Sequence, residues 1–539
     1  MKWKRIAEAR HTLEREQGTI LKDWGGRLPV ALIYPNTYHV GMSSLGLHTV
    51  YRLFNAHDGV VCERAFWDGS VPSLSIESQR PLAEFAVLAF TISYELDYLN
   101  VVQILRAAGI PLKAEERDRD WPLVVVGGPA VTANPEPPAL FGDAFAIGEG
   151  EVIVPPLLDV LREGLSAERD DLLKALSAIP GLYVPHVAGH RTPVERQWVR
   201  DLNAHPTATV VYTSDTEFGD RTLIEVSRGC GRGCRFCLAG FCYRPPRERS
   251  VESLLAQARA GLRHRHGVGL VGAAVSDYSR LTELVAGLQE MGASISVSSL
   301  RVDPLPEALL QALDESGVRT LTIAPEAGSQ RLRAMVNKGV GEDDVLRAAH
   351  AAARHGFAQL KLYFMVGLPG ETDDDVQAIT DLALAVADRF QRQVTVNLTP
   401  FVPKAHTPFQ WAAMADVTTL QARITRVRRS LQRQGVAVKS ESPAWAAVQG
   451  VLARGDRRVG SALLALERPT LAGWQKALAS ADLDPAAYLG EWAPGETLPW
   501  QVVSSAVDVT YLRRERERAQ AGLETAPCPP EGCHQCGVC

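Results

Sequence analysis

Three cysteines, Cys230, Cys234 and Cys237, share the segment Ser227-Arg-Gly-Cys-Gly-Arg-Gly-Cys-Arg-Phe-Cys237. Thiolates are soft ligands that favour iron–sulfur clusters or zinc. A cube of four irons held by three thiolates keeps one iron open to a small molecule. Gly229, Gly231 and Gly233 let a short loop fold back around such a group without Cβ clashes. The run Leu223-Ile-Glu-Val226 reads as a buried strand, so the loop leaves a strand's C-terminal end, where α/β sheets bind ligands. The alternative is structural zinc with Cys242 as fourth ligand, C-x3-C-x2-C-x4-C. Zinc sites are usually two separated pairs and rarely so rich in glycine. The cluster is therefore the better reading, with Cys242 an ordinary half-buried thiol.

Length fits more than one core. The 539 residues suit roughly three domains. An apolar share of 46% and a net charge of −5 exert no global pull toward nucleic acid or membrane. No apolar run reaches about 18 residues, and the charged start Met-Lys-Trp-Lys-Arg lacks the apolar centre of a secretory signal. Seven of the nine cysteines fall into two clusters, Cys230 to Cys237 and Cys528 to Cys539. That usage is metal binding in a reducing compartment, and the expected location is cytoplasmic.

Residues 1–25 read as a helical lead-in. Strand candidates follow at Pro29–Tyr34, Phe85–Ile92, Leu123–Val126 and Ala144–Ile147, with helices such as Ser44–Asn55 and Tyr98–Ala108 between them. This alternation predicts a parallel, doubly wound, Rossmann-like sheet over 26–165. Gly-Gly-Pro (127–129) and Gly-Glu-Gly-Glu (148–151) follow strands, where a ligand crevice is expected. Residues 166–217 read as a bridge and 218–410 as a second strand–helix domain. A helical region over 411–527 and a cysteine-rich tail over 528–539 complete the chain.

The cysteine loop resembles that of the radical S-adenosylmethionine (SAM) enzymes. In that family the open iron of a [4Fe-4S] cluster is chelated by SAM. One electron then cleaves SAM to methionine and a 5′-deoxyadenosyl radical. The resemblance implies that Phe236 lies beside the adenine. It also implies a partial (β/α)6 barrel with strands Leu223–Val226, Val268–Val275, Ala293–Val297, Thr320–Ala324, Gln359–Val366 and Val394–Leu398. On that pattern Gly272 and Ala273 meet the SAM amino group through backbone carbonyls. Ser298 and Arg301 stand near its carboxylate, and Glu326 sits on the rim. Lys338 and Lys361 are weaker candidates, and Lys361-Leu-Tyr-Phe-Met-Val-Gly-Leu-Pro-Gly-Glu-Thr372 resembles the family's fifth strand and loop. Gly267-Val-Gly-Leu-Val-Gly272 matches the dinucleotide fingerprint G-x-G-x-x-G in letters only, because it begins a strand instead of following one.

The N-terminal part resembles the cobalamin-binding-type domain that precedes many radical SAM cores, in Tyr34-Pro-Asn-Thr-Tyr-His-Val-Gly-Met42, Val125–Glu136 and Ala146–Glu151. Together these segments look like an uncharacterised "B12-binding" group of the family. Domains that ligate cobalt through histidine carry D-x-H-x-x-G. Here Asn-Thr-Tyr-His-Val-Gly places His39 two residues before Gly41 and supplies no aspartate to orient it. His39 therefore reads as a loop histidine, and cobalamin held without a protein ligand stays open.

Two features remain. Thr418–Gln434 predicts a helix with the apolar stripe Leu420, Ile424, Val427, Leu431. Arg423, Arg426, Arg428, Arg429 and Arg433 cover much of its other face, read as solvated because no aromatic interleaves for nucleic acid. The tail Cys528-x4-Cys533-x2-Cys536-x2-Cys539 supplies four thiolates, enough for a second iron–sulfur cluster or a zinc. The expectation is an anaerobic radical SAM enzyme served by a flavodoxin or ferredoxin, with its substrate, a small molecule, RNA or protein, held between the domains. Cobalamin-assisted methyl transfer is one outcome. Cobalamin-independent modification of RNA or protein is another. A cluster-bearing sensor or RNA-binding factor without catalysis is the rival outside enzymes.

Overall fold

A computed structural model describes the chain apart from residues 1, 70–73, 165, 188–191, 530–532, 534 and 539. The chain divides into two compact units instead of the three domains expected from length. The first comprises 1–220, 451–488 and 497–506, and the second 221–450, 489–496 and 507–539.

In the first unit β1 (Leu28–Tyr34), β2 (Val60–Phe66), β3 (Val87–Thr91), β4 (Leu123–Gly127) and β5 (Ala144–Ala146) form a parallel sheet in the order β2-β1-β3-β4-β5. β6 (Leu182–Tyr183) adds antiparallel at the edge. Unbroken apolar runs such as Leu-Pro-Val-Ala-Leu-Ile-Tyr suit strands buried on both faces. β2 was not predicted, because Glu63 and Arg64 interrupt Val-Val-Cys-Glu-Arg-Ala-Phe. Both charges are buried and paired: Arg64 bonds Glu77 at 2.7 Å and Glu16 at 2.6 Å, and Trp24 donates to Glu63 at 2.6 Å. Val30, Leu32, Leu47, Tyr51, Phe54, Leu157 and Leu161 lie in one apolar cluster.

The order 2-1-3-4-5 places the topological switch point between β1 and β3. There Asn36 donates to Asp97 at 3.1 Å, and burial pushes the Asp97 carboxyl up to about 6. The two glycine-bearing turns expected to border a ligand crevice carry backbone hydrogen bonds. Ile92 N–H donates to Gly127 O at 2.8 Å, and Glu149 N–H donates to Gln197 O at 2.9 Å. The Glu149 carboxylate accepts Val199 N–H at 2.9 Å.

The supposed bridge, 166–217, belongs to this unit and supplies β6. The supposed helical region, 411–527, is split between the units. Its 451–488 part stays with the first unit because polar side chains catch its carbonyls. Asn134 donates to Ala453 O and Gly455 O, and Arg106 donates to Leu464 O and Leu466 O.

The second unit carries β7 (Arg221–Glu225), β8 (Gly267–Val271), β9 (Ser294–Val297), β10 (Thr320–Glu326), β11 (Gln359–Val366), β12 (Gln393–Pro400) and β13 (Ala437–Ser440). All pairings are parallel, in sheets β9-β8-β7 and β10-β11-β12-β13. A single bridge, Leu300 with Ile323, links the two. Among the described residues the unit thus has seven parallel strands in these sheets where six were expected. The added β13, Ala-Val-Lys-Ser, is short and half-exposed, so it carries no apolar signal. Gly267–Val271 is a strand, as its failed fingerprint context implied.

Leu321, Ile323, Leu360, Leu362, Val394 and Val396 are buried. The alternate positions are polar, with Thr320, Thr322, Gln359, Lys361 and Asn397 partly exposed, Tyr363 exposed and Thr395 buried. Register aligns Thr322 with Lys361 and Tyr363 with Asn397. A closed barrel fills its interior with Val, Ile and Leu; a polar, half-exposed face belongs to an open groove. The helix Val417–Gln432 buries Leu420, Ile424, Val427 and Leu431 as predicted. Its arginines are partly structural: Arg423 pairs with buried Glu371 at 2.8 Å and Arg426 with Asp373 at 3.4 Å, while Arg428 bonds Ser440. No helix among the described residues is long and apolar enough to cross a membrane.

Candidate active site

The cysteine loop leaves β7 and is closed by a two-residue antiparallel ladder, Ser227–Arg228 against Arg247–Glu248. Gly229 sits at φ 82°, and a Cβ there would lie 2.3 Å from Tyr243 O. Only glycine fits that turn. Within the loop Cys237 N–H donates to Cys234 O at 3.0 Å, and Arg235 N–H donates to Val336 O at 3.0 Å. Backbone N–H groups of Arg232 and Gly240 point at the sulfurs of Cys230 and Cys237.

Burial raises the Cys230 thiol and pushes that of Cys237 up to about 12. Such thiols become thiolates when a bound metal supplies the opposing charge. Soft sulfur donors with N–H groups aimed at them fit an iron–sulfur cluster. Among the described residues no group of three or more His, Cys, Asp or Glu is gathered to hold a single metal ion. Cys242 is buried at 2% exposure on the short helix Ala239–Cys242, deeper than the half-buried thiol expected.

The loop is braced by charge. Arg232 makes two bonds to Asp277, at 2.8 and 2.6 Å, which ties it to the segment after β8. That segment holds Gly272, where a Cβ would lie 3.0 Å from Ser227 Oγ, so it runs tight against the end of β7. Ala273 is exposed. Ser276 is buried, and its Oγ has no hydrogen-bond partner. A buried orphan hydroxyl calls for an explanation.

Glu326 ends β10 at φ 70°, beside a register shift between Ile323 and Glu326. A non-glycine residue in this conformation is uncommon, and such strain concentrates at functional sites. Its carboxylate accepts from Lys338 Nζ at 2.9 Å, with both side chains largely buried. Burial pulls the Lys338 ammonium down, yet Glu326 and Cys234 beside it reverse the effect and its pKa ends raised. Arg301 is 9% exposed. It donates to Lys338 O at 3.0 Å and Asp303 O at 3.3 Å, and its Nε lies 3.8 Å from Asp277. Arg301, Lys338, Glu326 and Asp277 thus form one charged group beside the cysteine loop. Ser298 is exposed at the end of β9, and no contact joins it to that group. Phe236 is half-buried against Ala327, Leu332, Met335, Met365, Leu368, Phe401 and Phe409, near the C-terminal ends of β10, β11 and β12.

Sequence reasoning missed Arg232, Asp277 and Asn337. The interleaved arginines of the loop were a signal for the first. Asn337 carried none, since its contacts join three distant segments.

Residues 46–185 match the family described as radical SAM proteins, N-terminal, and 224–383 match the radical SAM superfamily. An uncharacterized protein of Methanocaldococcus jannaschii, MJ0966, is 32% identical over 444 residues, covering 82% of this chain and 92% of its own. The tRNA-2-methylthio-N(6)-dimethylallyladenosine synthase of Cereibacter sphaeroides is 28% identical over 229 residues, 40% of this chain and 52% of that one. Among solved structures, the radical SAM methyltransferase TsrM of Kitasatospora setae, with cobalamin and a [4Fe-4S] cluster bound, matches with a TM-score of 0.51. It is 14% identical and spans 92% of this chain and 99% of its own.

Proposed function

The chain belongs to the radical SAM superfamily, and from that premise we propose that Cys230, Cys234 and Cys237 carry its [4Fe-4S] cluster and that the SAM bound there starts radical chemistry on a substrate. When bound, the cluster supplies the electron that splits SAM into methionine and a 5′-deoxyadenosyl radical. The observation that carries the reading is the charged group of Glu326, Lys338, Arg301 and Asp277 beside three soft donors at the ends of parallel strands. Glu326 offers a carboxylate for the SAM amino group. Arg301 has further guanidinium donors for the SAM carboxylate. Ser276 Oγ gains a partner when ligand fills the segment after β8, and Phe236 gives the adenine an apolar wall.

Anaerobic reconstitution followed by a SAM-cleavage assay under strong reductant tests this. The expected product is 5′-deoxyadenosine, lost when the three cysteines become alanine. Clustered protein that yields none is the sensor or RNA-binding factor instead. Glu326→Gln is expected to weaken SAM binding in the clustered protein without lowering iron content, and unchanged affinity removes Glu326 from the site.

A second reading, cobalamin-assisted methyl transfer, is favoured by the 2-1-3-4-5 sheet order and the TsrM-like fold. His39 is not needed for it. Its Nδ1 is 2.9 Å from Asp215 and its Nε2 3.5 Å from Glu217, so both ring nitrogens are engaged. A corrinoid spectrum after reconstitution with cobalamin, unchanged in His39→Ala, is the expected result; no stable corrinoid spectrum excludes the reading.

A further inference from the structure

The second cysteine cluster does not trail away from the first. Cys528 N–H donates to Gly231 O at 2.8 Å, in the middle of the Cys230–Cys237 loop. A Cβ added to Gly231 would lie 3.3 Å from the Cys528 Cβ, so the tail presses on the loop where a side chain is missing. Upstream, Arg235, fully buried between Cys234 and Cys237, donates to Leu523 O at 2.7 Å. Downstream, Cys536 is 2% exposed, and its carbonyl accepts Asp508 N–H at 2.8 Å.

A cavity of about 660 Å³ is lined by Gly231, Gly233, Arg244, Cys528, Cys533 and Gln535, among others. Arg244 is 2% exposed, hydrogen-bonds Cys536 and lies within electrostatic reach of Cys528. Cys528 and Cys533 thus line one hollow with a buried cation, and Cys536 hydrogen-bonds the same cation. The hollow is far larger than one ion. A buried guanidinium beside thiolates offsets the negative charge of a thiolate-ligated cluster. Cys539 lies outside the described residues.

We infer that Cys528, Cys533 and Cys536 ligate a second iron–sulfur cluster, docked on the outer wall of the loop that holds the first and separated from it by the backbone around Gly231. The inference rests on the reading of Cys230, Cys234 and Cys237 as ligands. An electron from a reduced low-potential donor protein, a ferredoxin or flavodoxin, then has a route through the tail centre to the triad centre, one in and one out with no bond made or broken.

The test is iron and sulfide counting, with electron paramagnetic resonance of the dithionite-reduced full chain. About eight irons per chain are expected for the unaltered protein, about four for Cys528→Ser/Cys536→Ser, and about four for the variant with Cys230, Cys234 and Cys237 all changed to alanine. Two reduced centres across one wall should broaden each other's signal, and either variant should show a single sharp one. Four irons with one zinc, or no iron in the triad variant, overturns the second cluster. Eight irons without spin interaction overturns the docking. Eight coupled irons that make no 5′-deoxyadenosine would instead count against the radical reading and leave this one standing.

Discussion

The side-chain amide of Asn337 grips both backbone groups of Thr525: Oδ1 accepts Thr525 N–H at 2.8 Å, and Nδ2 donates to Thr525 O at 3.1 Å. The same Nδ2 lies 3.2 Å from Gly233 O and 3.3 Å from Arg232 O. One residue at φ 53°, a conformation asparagine tolerates, joins the cysteine loop to the tail. Asn337→Ala is expected to cost about 2–3 kcal/mol, from several bonds worth about 1 kcal/mol each. It should also lower iron retention on gel filtration. A melting temperature and iron content equal to those of the unaltered protein would refute the clamp.

Arg235 and Glu515 are 0% and 2% exposed and 3.1 Å apart. Removing Glu515 leaves the buried Arg235 charge without a carboxylate, and removing Arg235 leaves Glu515, among the described residues, only the Arg518 cation at 3.8 Å, at up to roughly 3–5 kcal/mol. Arg235→Met and Glu515→Leu should each destabilise strongly, and the double variant by less than their sum. A double-mutant cycle by chemical denaturation measures this; additive losses would show that the two charges do not depend on each other.

Gly229→Ala places a Cβ 2.3 Å from a carbonyl at positive φ. Strain of about 1–3 kcal/mol plus the clash should open the loop and abolish cluster assembly. Gly240→Ala is the matched control, because its Cβ would meet nothing closer than Cys237 Cβ at 3.8 Å. Equal iron content in the two variants would contradict the assignment of Gly229 as a geometric requirement.

Burial pushes the Glu371 carboxyl up to about 7, against the opposing pull of Gly367 N–H and Arg423. Its Oε1 is buried without a partner. A raised folded pKa means that the folded state holds the proton more tightly. The stabilisation is complete below the ordinary value near 4.5 and is lost as pH rises through about 7. Glu371→Gln removes the titration and keeps the shape. Denaturation midpoints from pH 4.5 to 8 should fall for the unaltered protein relative to the variant; parallel curves would exclude the shift.

What was legible in the sequence was local. Thiol spacing, flanking glycines and apolar runs are short-range signals. They located the cysteine loop, four strands of the first unit and six of the second unit. β2 escaped because Glu63 and Arg64 look like surface charges until Glu77, Glu16 and Trp24 are brought to them. β13 escaped because an edge strand of four half-exposed residues needs no apolar pattern. Residues 451–488 looked like part of a helical appendix, yet their carbonyls are held by Asn134 and Arg106, more than 300 positions away.

By itself the sequence determined the chemistry of the donors, since soft thiolates at that spacing admit few partners, and the alternation that makes a parallel sheet. Tertiary structure decided which charges stand beside the donors. Asp277, Arg301 and Glu326 lie at or beyond the ends of three different strands and Lys338 follows the helix Gln330–Met335, and only the tertiary fold brings them together. It also decided where the tail lies. A Cys528 N–H seeking an acceptor and a Gly231 carbonyl needing a donor are 297 residues apart, and no pattern within either segment records that they meet.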